Sequence, residues 1–268
     1  LLSPVLVLTL LPFAIMISTA LKPREEVLAN PPRWLPSRIA WHNFSDMWAA
    51  TDFGTALANS LFISLAAGIL TLAVALPAAY AMSRLPFRGK GAYAQFLLVT
   101  QMLSPVLLVL GLFRMAAAIP FGDGTLVDTR TGVILIYGAF NIAFAVWMLS
   151  SYFSTIPRDL EEAAWIDGAS TLRAILRIFL PLAVPAIAVT GMVTFVASWN
   201  EFVVALTILR DPSRLTVTVR VVNLVAGRYS VEWNQVMAAT LVATLPVAVM
   251  FAVSQRFLMR GLTLGAIK

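Results

Sequence analysis

Six long stretches of this chain carry no Asp, Glu, Lys or Arg: Leu1–Leu21, Phe53–Ser83, Tyr93–Phe113, Thr131–Pro157, Ile178–Asn200 and Trp233–Gln255. Each exceeds the roughly 20 residues that a helix needs to cross a bilayer. Hydrocarbon offers no water to backbone N–H and C=O groups, so such a run must satisfy them internally, as a helix. The pattern predicts an all-α, polytopic membrane protein. It is read as one transmembrane domain, residues 1–268, with spans near 1–21, 56–82, 93–116, 132–155, 181–207 and 233–256. Only 12% of residues are charged, about half the share of an average soluble domain. The segments between the runs are too short for a separate soluble domain.

The net charge of +6 comes from residues scattered at the span ends. That is the habit of membrane proteins and not a nucleic-acid footprint. The absence of cysteine excludes disulfides and thiolate metal sites, and the one histidine, His42, reads as a surface residue of a polar loop, so no metal site is expected. The chain opens at Leu1 without Met and is read as trimmed. Ser18-Thr19-Ala20 faintly matches a signal-cleavage site, but the uncharged run before it is longer than a signal peptide's apolar core and is read as a retained span.

Between the fourth and fifth runs lies a charged, amphipathic island from Pro157 to Pro185, PRDLEEAAWIDGASTLRAILRIFLPLAVP. Pro157 suits a first helical turn, and Asp159, Glu161 and Glu162 place negative charge at the positive end of the helix dipole. Gly168 is a natural helix stop, and Ser170 can cap a second short helix from about Thr171. In that helix Leu172, Ile175, Leu176 and Phe179 recur at helical spacing as one apolar stripe, with Arg173 and Arg177 on a more polar face. The spacing predicts a bent elbow over 157–180 with small residues at its tip, where another protein could approach the backbone closely.

Glu161-Glu162-Ala163-Ala164, Asp167-Gly168-Ala169, Ile178 and Leu180-Pro181 resemble the cytoplasmic coupling loop of ATP-binding-cassette (ABC) importer permeases. Ser198-Trp199-Asn200-Glu201-Phe202, the tail with Gln255-Arg256, Gly261-Leu262-Thr263 and Gly265-Ala266, and Asn59-Ser60 are similar to the maltose-type carbohydrate branch of that family, in its G-like subunit. The resemblance implies a multi-pass subunit of the bacterial cytoplasmic (inner) membrane forming half of a sugar pathway. The implied partners are a second permease subunit in a heterodimer, an ABC ATPase dimer, an extracytoplasmic solute-binding protein, a carbohydrate substrate and the lipid bilayer. The subunit itself would be non-catalytic. No phosphate loop of the Gly-x-x-x-x-Gly-Lys-Ser/Thr type occurs, and Arg88-Gly89-Lys90-Gly91 lacks its spacing, so ATP and Mg would sit on the partner ATPase.

Residue by residue, the resemblance gives Glu161, Glu162, Ala163, Ala164, Asp167, Gly168 and Ala169 to ATPase coupling. Glu161 or Glu162 would pair with a basic group there, and Asp167 would brace the elbow. Gln255, Arg256, Gly261 and Thr263 are candidates for a C-terminal ATPase contact. Sugars are held by aromatic faces and fixed polar groups. Trp199, Asn200 and Glu201, with Asn141, Tyr137, Trp147 and Asn59, are therefore the substrate-pathway candidates, and Glu201 stands out as an acid near a span interior.

Lys and Arg divide almost evenly between the two faces, so they do not set the orientation; the acid-free Arg84–Lys90 segment and the resemblance put the elbow and both chain ends inside. The outer segments Lys22–Asp52, Pro120–Arg130 and Arg210–Glu232, the last with Gly227-Arg228-Tyr229, could meet a binding protein, though the second reads as a plain connection. Proline at 77, 105 and 246 predicts kinks within spans. Two other readings stay open. One is an ABC permease for glycerol phosphate or an amino acid, for which Arg114 late in span three would serve a phosphate. The other is an ion-coupled secondary transporter, which would need internal repeats and midplane ion ligands that the sequence does not display.

Overall fold

The computed structural model describes residues 3–226 and 231–264, with side chains described through 255 and at 257. Its helices in chain order are α1 (Ser3–Ala20), α2 (Arg24–Val27), α3 (His42–Thr51), α4 (Phe53–Arg84), α5 (Lys90–Gln101), α6 (Pro105–Ala118), α7 (Arg130–Phe153), α8 (Asp159–Ile166), α9 (Thr171–Ala174), α10 (Leu180–Asn200), α11 (Val203–Ile208), α12 (Val217–Asn223) and α13 (Trp233–Leu264). A π turn, Ile175–Phe179, joins α9 to α10. Between α6 and α7 a two-residue hairpin, β1 (Pro120–Phe121) and β2 (Gly124–Thr125), pairs antiparallel with Pro120 opposite Thr125.

Among the described residues five helices are long and apolar enough to cross a membrane, and α5 and α6, bent by 100° at their break, reach that length and apolarity only as a pair. The sequence suggested one helix over 93–116, merely kinked at Pro105. The break is complete because Ser104, held extended by the following proline, takes ψ 135°, and Pro105 restarts the helix at its first turn. The fifth span also differs. Helix Thr171–Asn200 is one run of 30 residues, so the elbow's second arm and the span are continuous, and the run stops at Glu201 instead of continuing to 207. The last helix runs past 256 to Leu264. His42 opens α3 instead of lying in a loop.

The chain forms two compact units, Leu1–Leu61 with Arg210–Ala248, and Phe62–Leu209 with Val249–Lys268. In the first, polar side chains secure irregular backbone, as they must where buried carbonyls lack a helical partner. Asn43 Nδ2 donates to the carbonyls of Ala20 and Lys22 at 2.8 and 2.9 Å, and Asn234 Nδ2 donates to Asn43 Oδ1 at 2.8 Å. Ser60 Oγ accepts the Val217 N–H at 2.8 Å, one of the unpaired donors at the start of α12. Arg24 pairs with Glu232 at 2.6 Å. By contrast α1 turns its apolar side chains outward, Leu8 being 74% exposed. Such a surface is at home against lipid or another chain. Of the expected outer segments, Gly227-Arg228-Tyr229 lies outside the described residues.

The second unit holds the core. α10 and α5 both pack on α7, and α11 packs on α6. Ala75, Ala79, Ala143, Ala145, Ala183 and Ala186 are buried where the helices meet. Lipid supplies little hydrophobic drive between helices, so small residues that permit close van der Waals approach take its place. Tyr80, Val146, Leu149, Phe153 and Phe179 fill the end of this core nearest the elbow. At the start of α7, Thr129 Oγ1 accepts the Gly132 N–H at 3.0 Å. A Cβ at Gly132 would stand 2.3 Å from the Leu126 carbonyl oxygen, so this close approach requires glycine.

Candidate coupling elbow and pathway cavity

The elbow forms as its punctuation demands. α8 begins at Asp159, two residues after Pro157, and carries Asp159, Glu161 and Glu162 in its first turn. It ends at Gly168, whose φ of +79° is strained for any residue with a Cβ. The Gly168 N–H donates to the Trp165 carbonyl at 3.0 Å and the Ala169 N–H to Ala164 at 2.9 Å, the two bonds of a Schellman stop. Ser170 Oγ then accepts the Arg173 N–H at 3.4 Å and opens α9. The outward face carries Glu162, Ala163, Trp165, Ile166, Asp167 and Gly168, with Ile166 86% exposed. A Cβ at Gly168 would meet nothing within 4 Å among the described residues. Ala164 is buried and Ala169 half-buried.

The expected apolar stripe of the second arm splits. Phe179 is fully buried and Ile175 partly so, while Leu172 and Leu176 are exposed. The wide π turn carries extra backbone per turn and rotates the faces on its two sides relative to each other, which a strict 3.6-residue period does not anticipate.

Glu161 points the other way from Glu162. Only 4% exposed, it accepts the Tyr80 hydroxyl on Oε1, and its Oε2 lies 3.6 Å from Arg84 Nε. Arg84 Nη2 donates to the Ile156 carbonyl at 2.5 Å, and its guanidinium stacks over the Phe179 ring at 4.9 Å. Tyr80 and Phe153 meet Phe179 edge-on at 5.2 and 5.9 Å. Of the two acids expected to meet a basic group on a partner, Glu161 is thus committed within its own chain and Glu162 is the one presented. The sequence pointed to Arg84 only as part of the acid-free inner segment and not to Tyr80 at all; the signal for their pairing with the elbow is that a tyrosine and an arginine close the second charge-free run, one turn apart.

At the other end of α10, Glu201 leaves helical geometry at ψ 130° and caps α11. Its carboxylate accepts the N–H groups of Val203, Val204 and Ala205 at 3.0 to 3.3 Å and the Tyr137 hydroxyl at 2.8 Å. Asn141 Nδ2 bonds Ser198 Oγ at 3.2 Å. Tyr137, Asn141, Ser198 and Glu201, with Thr100 and Gln101 from α5, line a cavity of about 220 Å³ that has no Lys or Arg in its wall. A larger hollow of about 550 Å³ under the bent α5 and α6 is almost wholly apolar and lacks convergent polar groups.

The structure therefore brings together Tyr137, Asn141 and Glu201 and leaves other pathway candidates elsewhere. Trp199 is buried and stacks on Phe195 at 5.6 Å, so its face is not open to a sugar. Asn200 is exposed and bonds the Val196 carbonyl. Asn59 belongs to the first unit, where its Nδ2 holds the Ser213 and Leu215 carbonyls at 2.9 and 3.1 Å. Trp147 is exposed on α7. Arg114 is exposed and not part of the polar cavity. Thr100, Gln101 and Ser198 are additions; Gln101, a polar residue deep in an uncharged run, was the available signal. Gln255 lies exposed on α13, while Arg256, Gly261 and Thr263 fall outside the described side chains.

Residues 72–264 match the family model described as binding-protein-dependent transport system inner membrane component. The chain is 33% identical over 265 residues to the inner membrane ABC transporter permease protein YcjP of Escherichia coli strain K12, covering 98% of this chain and 92% of that one. It is 35% identical over 216 residues to the trehalose/maltose transport system permease protein MalG of Thermococcus litoralis, covering 81% and 76%. Its fold matches a chain in the crystal structure of a bacterial ABC transporter that imports the acidic polysaccharide alginate, with a TM-score of 0.81, 23% identity and coverage of 95% and 92%.

Proposed function

The chain belongs to the family of binding-protein-dependent transport system inner membrane components, and we propose that it is the permease subunit forming half of the pathway of an ATP-driven sugar importer. It is a transport subunit of the inner membrane. ATP and Mg are held by a separate ATPase dimer, and this chain contributes no catalytic group. The elbow faces the cytoplasm, where Glu162, Ala163, Asp167 and Gly168 meet the ATPase. A second permease subunit completes the pathway, and a solute-binding protein delivers solute from the other side.

The observation that carries this reading is the exposed elbow. A helix ended by glycine, with Trp165 and Ile166 in the open and free space around Gly168, is a surface built to be covered. The trehalose/maltose relative supports a neutral sugar over a phosphorylated solute, and so does a cavity wall without Lys or Arg. At about 220 Å³, the cavity falls below the roughly 300–1,000 Å³ of a complete small-molecule site. That size suits a half-site that a second subunit closes.

The test uses the absence of native cysteine. An Ala163→Cys chain, expressed with its genomic neighbours, should cross-link to a nucleotide-binding subunit through that single thiol. Cross-linking only to lipid-side or external proteins would sink the proposal. Uptake of labelled trehalose, maltose and glycerol phosphate by the complex then separates a sugar carrier from a phosphate-ester carrier.

A further inference from the structure

We infer that Glu161 and Arg84 are positioning residues for transport: a buried charged node that fixes the elbow's angle on the transmembrane bundle, distinct from the outward face that meets the ATPase. The inference rests on the permease reading for its consequence, though not for its geometry.

The node gathers otherwise separate pieces of the second unit. Arg84 comes from the end of α4, Glu161 from the first turn of α8, the Ile156 carbonyl from the segment leaving α7, and Phe179 from the π turn entering α10. Arg84 thus touches the elbow's first arm through Glu161 and its second arm through Phe179. Tyr80, one turn before Arg84, takes the other oxygen of Glu161 and packs against the same Phe179 ring. Both side chains of the ion pair are about 5% exposed. Two buried charges of this kind hold a narrow set of orientations, because a rotation of α8 large enough to part them leaves a carboxylate desolvated and unpaired. Arg84 Nε is buried without a hydrogen bond, 3.6 Å from Glu161 Oε2. That is about half an ångström beyond N–H···O bonding range. The node is closed on the Tyr80 side and has slack on the Arg84 side, so a small shift of α8 converts an ion pair into a direct bond. The elbow therefore has a preferred seat and a short travel.

The experiment uses the complete complex purified with its ATPase and solute-binding protein. Nitroxide labels on Arg88→Cys and Leu160→Cys, both exposed sites outside the node and outside the outward face, report the separation of α8 from the end of α4. The parent should give one narrow distance distribution, and the solute-binding protein should stimulate its ATP hydrolysis. Glu161→Gln should broaden the distribution into more than one population and reduce that stimulation, on the order of tenfold, while the ATPase still co-purifies. Tyr80→Phe, which keeps the ion pair, should fall between. The transposed pair Arg84→Glu with Glu161→Arg should recover part of the narrow distribution, which a merely space-filling role would not. Parent behaviour in Glu161→Gln overturns the inference. If Glu161→Gln fails to assemble, parent behaviour in Tyr80→Phe together with no recovery in the transposed pair overturns it instead. If no ATPase accompanies the parent chain, the permease reading fails, and the label distances still decide whether the node fixes the elbow.

Discussion

Two glutamates stand at helix breaks in the same unit, and each takes a tyrosine hydroxyl. Glu161 is sealed in and faced by a guanidinium, with Tyr80 on its other oxygen. Glu201 is half-buried beside a polar cavity and gathers three backbone N–H groups at the start of α11, with Tyr137 alongside. The difference lies in what each site protects. A buried ion pair resists rotation and costs heavily when broken. A capping carboxylate satisfies a helix start while leaving its neighbours open to water or solute. The first arrangement fits a joint, the second the wall of a passage.

The largest effect expected from this contrast is at Arg84. Arg84→Met leaves Glu161 buried with no cation, at a cost of about 3–5 kcal/mol. Thermal unfolding of the purified complex should show it, and an unchanged midpoint would reduce the node to the rank of a surface pair. Glu201→Ala removes a cap and the nearer of the two acceptors for Tyr137, worth about 2 kcal/mol. Glu201→Gln keeps an acceptor and should lose less. Equal losses in the two Glu201 variants would mean that charge, and not capping, governs that end as well.

Gly168→Ala comes next. It forces a side chain into left-handed geometry for about 1–2 kcal/mol, and no atom of the described residues lies within 4 Å of the new methyl. Any loss of solute uptake beyond that small cost, in a complex that still hydrolyses ATP, therefore reports the partner's surface. Full transport would remove Gly168 from the contact.

The smallest effect concerns an acid outside both sites. Glu26 accepts the Ser37 hydroxyl and N–H, which hold its carboxyl below the usual glutamate value of 4.5. A lowered folded value means that its contribution is complete above the ordinary range and fades as pH falls through the lowered one. Proteolysis of segment 22–40 should accelerate on acidification from near 4.5 downward. Loss of the segment's order at neutral pH in Glu26→Gln would show that the charge and not the hydrogen bonds secures it.

Much of the elbow was legible because its signals are local. Gly168 stops one helix and Ser170 starts the next regardless of what surrounds them. The charge-free runs located the long apolar helices for the same reason, since bilayer solvation acts on any segment of sufficient length. What stayed hidden depends on pairing. That Glu161 turns inward and Glu162 outward follows from Tyr80 and Arg84, 81 and 77 positions earlier, and no window of the sequence contains both ends. The stop at Glu201 hid because an acid beside an apolar run reads equally as a pathway residue or as a cap. The split of α5 from α6 was half visible in Ser104-Pro105, a proline read as a kink that proved a complete break. Trp199 looked available until Phe195, one turn away, was found covering it.

The continuous helix from Thr171 to Asn200 carries a mechanical corollary. Thirty residues at 1.5 Å each make a shaft of about 45 Å, with the looser π winding a few residues from one tip and the Glu201 break at the other. If the π turn is the fulcrum, the arm beyond it is several times longer than the arm before it. A tilt of about ten degrees there would swing the far tip by about 5 Å, roughly the width of a sugar ring, while the near tip barely moves. Gearing of that sort would let a slight rearrangement of a docked motor open or shut a passage on the opposite side of the membrane.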